Sequence, residues 1–249
     1  MARHTGINAG HLSRIENGKR PPTEKVAIAC DAVFPERRGW FVEYFSEMRG
    51  WSEVPATFRD WTELELGATR LHAWSPGVLH GLLQTEEYAA ALLATLPDVP
   101  PDVIAARTAT RMERQQRVLL RDDRPETWFV VDECSMHRLV GSAEAMGRQM
   151  RHLDEVASLP RVTLQVLPAI AHPAGASGFI VTDGAAYAEH VASGYVFTDE
   201  QTVSSLTRMF DTLRGECYRV SESLKIIERL GEAWTGASPL TATRPAGTA

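Results

Sequence analysis

Nine residues near the start of the chain have the types and spacing to touch nucleic acid: Asn8, Ala9, Gly10, His11, Ser13, Arg14, Asn17, Lys19 and Arg20. Asn, Ser, His and Arg side chains hydrogen-bond to base edges and phosphate oxygens. On a helix, Ile7, Leu12 and Ile15 fall on one side and would pack inward. Asn8, Ala9, Gly10, Ser13 and Arg14 would then face the bases of a major groove. Asn17, Lys19 and Arg20 would meet the phosphates beyond. Ala9 can only touch a thymine methyl, so specific readout would fall on Asn8, His11 and Arg14.

A second set lies further on. Arg107, Arg111, Arg114 and Arg121 recur at helical spacing. Such a stripe is commonly a solvated face. The sharper expectation is a dock for a small acidic partner protein or an anionic small-molecule effector. Asp132-Glu133, near His137, has the composition of a general acid/base group, or of a capping carboxylate where a strand meets a helix. His152, His172 and His190 lack metal-ligand spacing, and neither a metal nor a cofactor is expected. Trp61, Trp74 and Trp128 with Tyr88 would line an apolar pocket or, more commonly, fill a core. Gly175-Ala176-Ser177-Gly178 has the wrong glycine spacing for a nucleophile elbow and reads as a loop. There is no phosphate-binding loop, dinucleotide fingerprint or His-Glu-x-x-His.

Composition sets the frame for these candidates. The chain has 249 residues, 44% hydrophobic and 23% charged, with 26 Lys+Arg against 32 Asp+Glu and a net charge of −6. This is ordinary globular composition, sufficient for a sizeable core. Residues 1–25 hold five Lys/Arg and two Asp/Glu, a net +3, leaving −9 on the remainder. A basic end on an acidic body is the asymmetry expected when one end meets phosphate. No apolar run is long enough to span a bilayer, so no membrane partner is expected. Cys30, Cys134 and Cys217 are far apart and odd in number, which argues against a disulfide framework and for a cytoplasmic location.

The elements that must position these residues follow from caps, breakers and periodicity. Asn8 caps a helix from Ala9 to Asn17, stopped by Gly18. Thr23 caps another over Glu24–Val33, and Glu36–Met48 reads as a third. A soft boundary lies at 50–58. A helix from Asp60 or Thr62 would carry Trp61, Leu64, Ala68, Leu71 and Trp74 inward, ending at Ser75-Pro76-Gly77. Thr85 caps Glu86–Leu96, and Asp102–Leu120 is a long helix. Thr127–Val131 and Val162–Leu167 are strands. Ser142–Leu159 is an amphipathic helix between them. Phe179–Thr182, Ala186–His190 and Tyr195–Thr198 form an antiparallel meander. Helices at Thr202–Gly215 and Ser221–Trp234 close the body. The expected class is α+β, mostly helical: a partial head over 1–50, a body over 58–235 with a small antiparallel sheet, and a disordered tail over 236–249.

The run TGINAGHLSRIENGKRPP resembles the Cro/repressor-like (XRE) helix-turn-helix family, most closely in Ser13-Arg14-Ile15-Glu16-Asn17-Gly18-Lys19-Arg20. That family's domain has five helices. This chain begins inside the first helix of the motif, at Met1-Ala2-Arg3-His4, so the head is expected to be truncated. The family often has Gln where Ala9 stands. The segments WTELELGATRLHAWSPGVLHGLLQTEEYAAALL and WFVVDECSMHRLVGSAEAMGRQMRHLDEVASLPRVTLQVLP are similar to the body of actinobacterial WhiJ-like regulators, whose C-terminal domain is of unknown function. His80 departs from the Pro common before that Gly-Leu-Leu-Gln-Thr run. The resemblance implies a transcription regulator encoded beside a small partner protein.

Together these readings lead to a cytoplasmic regulator, not an enzyme, that binds double-stranded DNA as a homodimer through its head. Its body would sense a ligand or partner. The alternative is an enzyme or small-ligand-binding protein derived from such a regulator, set in natural-product biosynthesis, with DNA binding lost. A third is a protein that only holds a small partner.

Overall fold

The computed structural model describes residues 7–17, 22–34, 37, 39–42, 45, 56–174, 177–189 and 194–236. Residues 18–21, most of the expected 36–48 helix, the 175–176 loop residues, His190 and the tail beyond Gly236 lie outside the described residues. The chain divides into two units, Met1–Pro55 and Ala56–Ala249.

In the first unit, α1 spans Ala9–Glu16 and α2 spans Glu24–Val33. Asn8 caps α1 as its sequence position predicts: its Oδ1 accepts from Gly10 N at 2.8 Å. Thr23 takes the cap position of α2 without a side-chain bond. Leu12, Val26 and Cys30 are buried together, with Ile7, Ile15 and Phe41 packed against them. Asp31 reaches from α2 to accept from the backbone N–H groups of Phe41 and Val42, both at 3.0 Å.

The second unit is α+β, built on a six-stranded sheet in the order β3-β2-β1-β4-β5-β6. Its strands are β1 (Arg70–Ser75), β2 (Glu126–Asp132), β3 (Val162–Leu167), β4 (Phe179–Val181), β5 (Ala186–Glu189) and β6 (Gly194–Phe197). Strands β1, β2 and β3 pair in parallel; β4, β5 and β6 extend the sheet antiparallel from the other side of β1. The sheet is therefore mixed, and the expected antiparallel meander is one half of it.

Strand β1 replaces the end of an expected helix. Helix α3 runs Ala56–Gly67 and stops at the glycine, so Leu71 and Trp74 are not on it. Leu71 and Ala73 join the core on one face of the sheet and Trp74 joins the core on the other. A strand buried on both faces carries apolar residues on both sides, so it lacks the alternation that marks a half-buried strand.

The connections are helical. A 3₁₀ turn at Gly81–Leu83, α4 (Glu86–Leu93) and α5 (Pro101–Leu119) link β1 to β2. Helices α6 (Glu133–His137) and α7 (Ala143–Ala157) link β2 to β3. The chain closes with α8 (Glu200–Glu216) and α9 (Val220–Gly236). The larger core joins one sheet face to α3, α4, α5, α7 and α9 through Trp61, Tyr88, Leu119, Met146 and Ile227. The smaller core joins the other face to α8 through Phe210 and Leu213. Helices α7 and α9 approach closely at glycines: a Cβ at Gly147 would lie 2.5 Å from Thr235 Cγ2.

Asp183 brackets the β4–β5 turn to the start of β1. Its carboxylate accepts from Thr69 N, Thr69 Oγ1, Arg70 N and Arg70 Nε. Burial raises its pKa, but these donors outweigh that and hold it at about 2.

Candidate functional site

In the first unit, α1 presents two unlike faces. Leu12 is buried, while Asn8, Gly10, Ser13, Arg14 and Asn17 are exposed and His11 is half-buried. Not all of these groups are equally available. Asn8 Oδ1 is engaged in the cap. Asn17 Nδ2 folds back to donate to Ser13 O at 2.6 Å, which occupies it at the helix end. Arg14 and His11 line an open groove of about 440 Å³ with Asn8 and Lys25. Ala9 is described by its backbone alone, and Lys19 and Arg20 lie outside the described residues.

In the second unit, the chemistry gathers around the Gly81-Leu82-Leu83-Gln84-Thr85 run. This stretch is buried and irregular, so its backbone polar groups need side-chain partners. Gln115 Nε2, from α5, donates to Leu82 O at 2.7 Å. Gln149, from α7, donates through Nε2 to Leu83 O at 2.6 Å and accepts through Oε1 from Thr85 N at 2.8 Å. Gln84 Nε2 donates to Leu79 O at 2.7 Å. Tyr88 Oη accepts from Leu79 N at 3.3 Å, and His80 Nδ1 accepts from Leu82 N at 3.3 Å. His80 thus supplies a cap to the 3₁₀ turn. Burial, then the charges of Arg114 and Arg111, hold its pKa well below the ordinary value, so it stays neutral.

The arginine stripe of α5 divides over this run. Arg114 forks onto Glu65 of α3, with Nε and Nη2 each 2.6 Å from a carboxylate oxygen. Its guanidinium also lies 4.8 Å from the Phe58 ring. Arg111 Nη1 donates to the neutral Gln84 Oε1 at 2.6 Å. Burial pulls the Arg111 guanidinium below its ordinary pKa; Arg114 adds to this and Glu189 opposes it. Arg107 is half-buried, and burial lowers its pKa too. Arg121 stands apart, its Nε 3.4 Å from Asp123 Oδ1. Arg107, Arg111 and Arg114 are therefore one group, and Arg121 is not part of it.

Sequence reasoning missed Glu65, Gln115, Gln149 and Tyr187. Three carried a signal: each is a polar residue on an otherwise apolar helix stripe, Glu65 one turn after Trp61, Gln115 one turn before Leu119, Gln149 beside Met150. Tyr187 lies on β5 with Trp61 5.7 Å away and Phe58 5.4 Å away, and burial raises its pKa to about 12.

The remaining candidates resolve into structural roles. Asp132 caps α6 by accepting from Cys134 N at 3.0 Å, and its other oxygen accepts from Gly77 N at 3.2 Å. Trp61 and Tyr88 are core on one sheet face and Trp74 on the other, so the four aromatics do not line one pocket. Trp128 Nε1 donates to Gln165 Oε1 at 3.0 Å. His172 packs edge-on against Trp74 with centroids 4.9 Å apart, and His152 lies 3.6 Å from Glu155. No metal-holding group of three or more His, Cys, Asp or Glu occurs among the described residues. No helix among them is long and apolar enough to cross a membrane.

No curated protein matches the chain, and no solved structure matches it. Residues 58–229, which take in most of α3, the whole sheet and the glutamine-and-arginine network, match the domain of unknown function DUF5753, and the chain belongs to that family.

Proposed function

We propose that this protein is a DNA-binding transcriptional regulator. Helix α1 enters the major groove of double-stranded DNA, two copies act as a homodimer, and the domain from Ala56 onward senses a ligand or partner. One observation supports this reading above the others. Helix α1 is capped and held by Leu12 against Val26 and Cys30, which turns Gly10, Ser13 and Arg14 outward together. A rigid helix with small and basic residues on its free face suits close approach to a groove. The net +3 of residues 1–25 favours the phosphate backbone.

The test is selection from a randomised duplex library with the full chain, followed by gel shifts on the enriched sequence. Binding weakens steeply as salt rises. Arg14→Ala reduces affinity about tenfold, the loss of one good base or phosphate contact. If no sequence is enriched, or Arg14→Ala binds like the parent, the assignment of α1 fails.

A further inference from the structure

We propose that Arg107 and Arg111, with the Nη1 edge of Arg114, bind a small molecule through its carboxylate or phosphate group. This deepens the sensing role proposed above, which it presupposes, by naming the site and the ligand's chemistry.

The arginine group carries unpaired donors. Arg114 spends Nε and Nη2 on Glu65, and its Nη1 has no acceptor among the described residues. Arg111 spends one nitrogen on Gln84, which is neutral, so Nε and Nη2 have no acceptor there. Arg107 has neither a hydrogen bond nor an ion pair among the described residues. On α3, Trp61 Nε1 is also buried with no acceptor among the described residues.

The geometry brings the cations together. Arg107 and Arg111 are one helical turn apart, which places them as neighbours on the α5 surface. Arg111 and Arg114 both lie against Gly81: a Cβ there would sit 3.5 Å from Arg114 Nη1 and 3.7 Å from Arg111 Nε. The charged groups facing Arg111 are Arg107 and Arg114 from α5 and Glu189 from β5. Glu65 is committed to Arg114, and Glu189 is not within ion-pair distance of Arg111 among the described residues. His80 is neutral. Three guanidinium groups therefore meet two carboxylates, Glu65 held by Arg114 and Glu189 acting on Arg111 without an ion-pair contact.

Packing half-buried like charges costs free energy unless an anion compensates it. Guanidinium forks match carboxylate and phosphate oxygens in pairs. Leu82, Leu83 and Gln84, next along the chain from Gly81, are buried, so an anion held by these guanidinium groups would meet them beside a dry stretch, where charge-assisted hydrogen bonds are stronger than in water.

The test is thermal unfolding of the full chain, without DNA, followed by tryptophan fluorescence. The probes are inorganic phosphate and succinate at about 10 mM, each against sodium chloride of equal ionic strength. At least one raises Tm by about 3 °C, and which one does so separates phosphate from carboxylate ligands. Arg107→Gln and Arg111→Gln each weaken the response about tenfold, while Arg121→Gln keeps it. Gly81→Ala meets only ordinary contacts, so it folds, yet its methyl crowds the space between the two guanidinium groups and lowers the response. The proposal is overturned if neither probe raises Tm, or if Arg107→Gln, Arg111→Gln and Gly81→Ala all respond like the parent. Because DNA is absent, such a failure leaves the Arg14 gel shifts unaffected, and the two readings fail separately.

Discussion

Glu65 has no solvent exposure, and Arg114 grips both of its carboxylate oxygens at 2.6 Å. A buried pair of this kind is costly to break from one side, because the surviving charge is left largely out of water without its partner. Glu65→Ala should lower unfolding free energy by about 3–5 kcal/mol in urea titrations. Replacing both partners, as Glu65→Leu with Arg114→Met, should recover most of that loss. A single substitution costing less than about 1 kcal/mol would show that water reaches the pair.

His80 should make stability depend on pH. Its folded pKa is depressed, first by burial and then by Arg114 and Arg111. The unfolded chain therefore takes up a proton at a higher pH than the folded one does. Stability is complete above the ordinary histidine value, about 6.5, and declines as pH falls from there toward the folded pKa. Protonation would also remove the acceptor that His80 Nδ1 offers Leu82 N. His72 and His152 are lowered as well, chiefly by burial, and contribute with the same sign. Melting curves between about pH 8 and 5 should show Tm falling with acid, and His80→Asn, which keeps a capping acceptor, should fall less. An identical slope in the variant would assign the dependence to the other histidines.

Gly194 opens β6 where no side chain fits. A Cβ there would overlap Oη and Cζ of Tyr187, on the neighbouring strand. Tyr187 has Phe58 and Trp61 against it, so it cannot swing aside at little cost. Gly194→Ala should therefore destabilise by about 1–3 kcal/mol. Tyr187→Leu should relieve the alanine, and a double-mutant cycle would register the coupling. Additive effects would place the strain elsewhere.

The class of the fold was legible because many of its elements announce themselves locally. Asn8, Thr85 and Ser142 are capping side chains whose oxygens accept from Gly10 N, Tyr88 N and Ala145 N. Strand β3 was readable to the residue from the alternation over Val162–Leu167. Strand β1 was not, since Leu71 and Trp74 also fit a helical stripe. With β1 unseen, the parallel half of the sheet had no organiser. The arginine group was visible as spacing, but its character was not. Glu65 stands far from Arg114 in sequence, and no local rule joins a lone carboxylate to a distant guanidinium. Gln84, Gln115 and Gln149 serve a backbone whose irregularity appears only when the chain is folded.

Because β1 pairs with β2 on one edge and β4 on the other, its second edge stays uncovered until Phe179–Val181 has been synthesised. Until then a nascent chain carries an apolar strand with one row of backbone groups unpaired, the arrangement most open to joining another copy. Completing the sheet depends on contacts between residues far apart in sequence, which slows folding. Truncations that end before β4 should accumulate in inclusion bodies, whereas the full-length chain supplies its own cover.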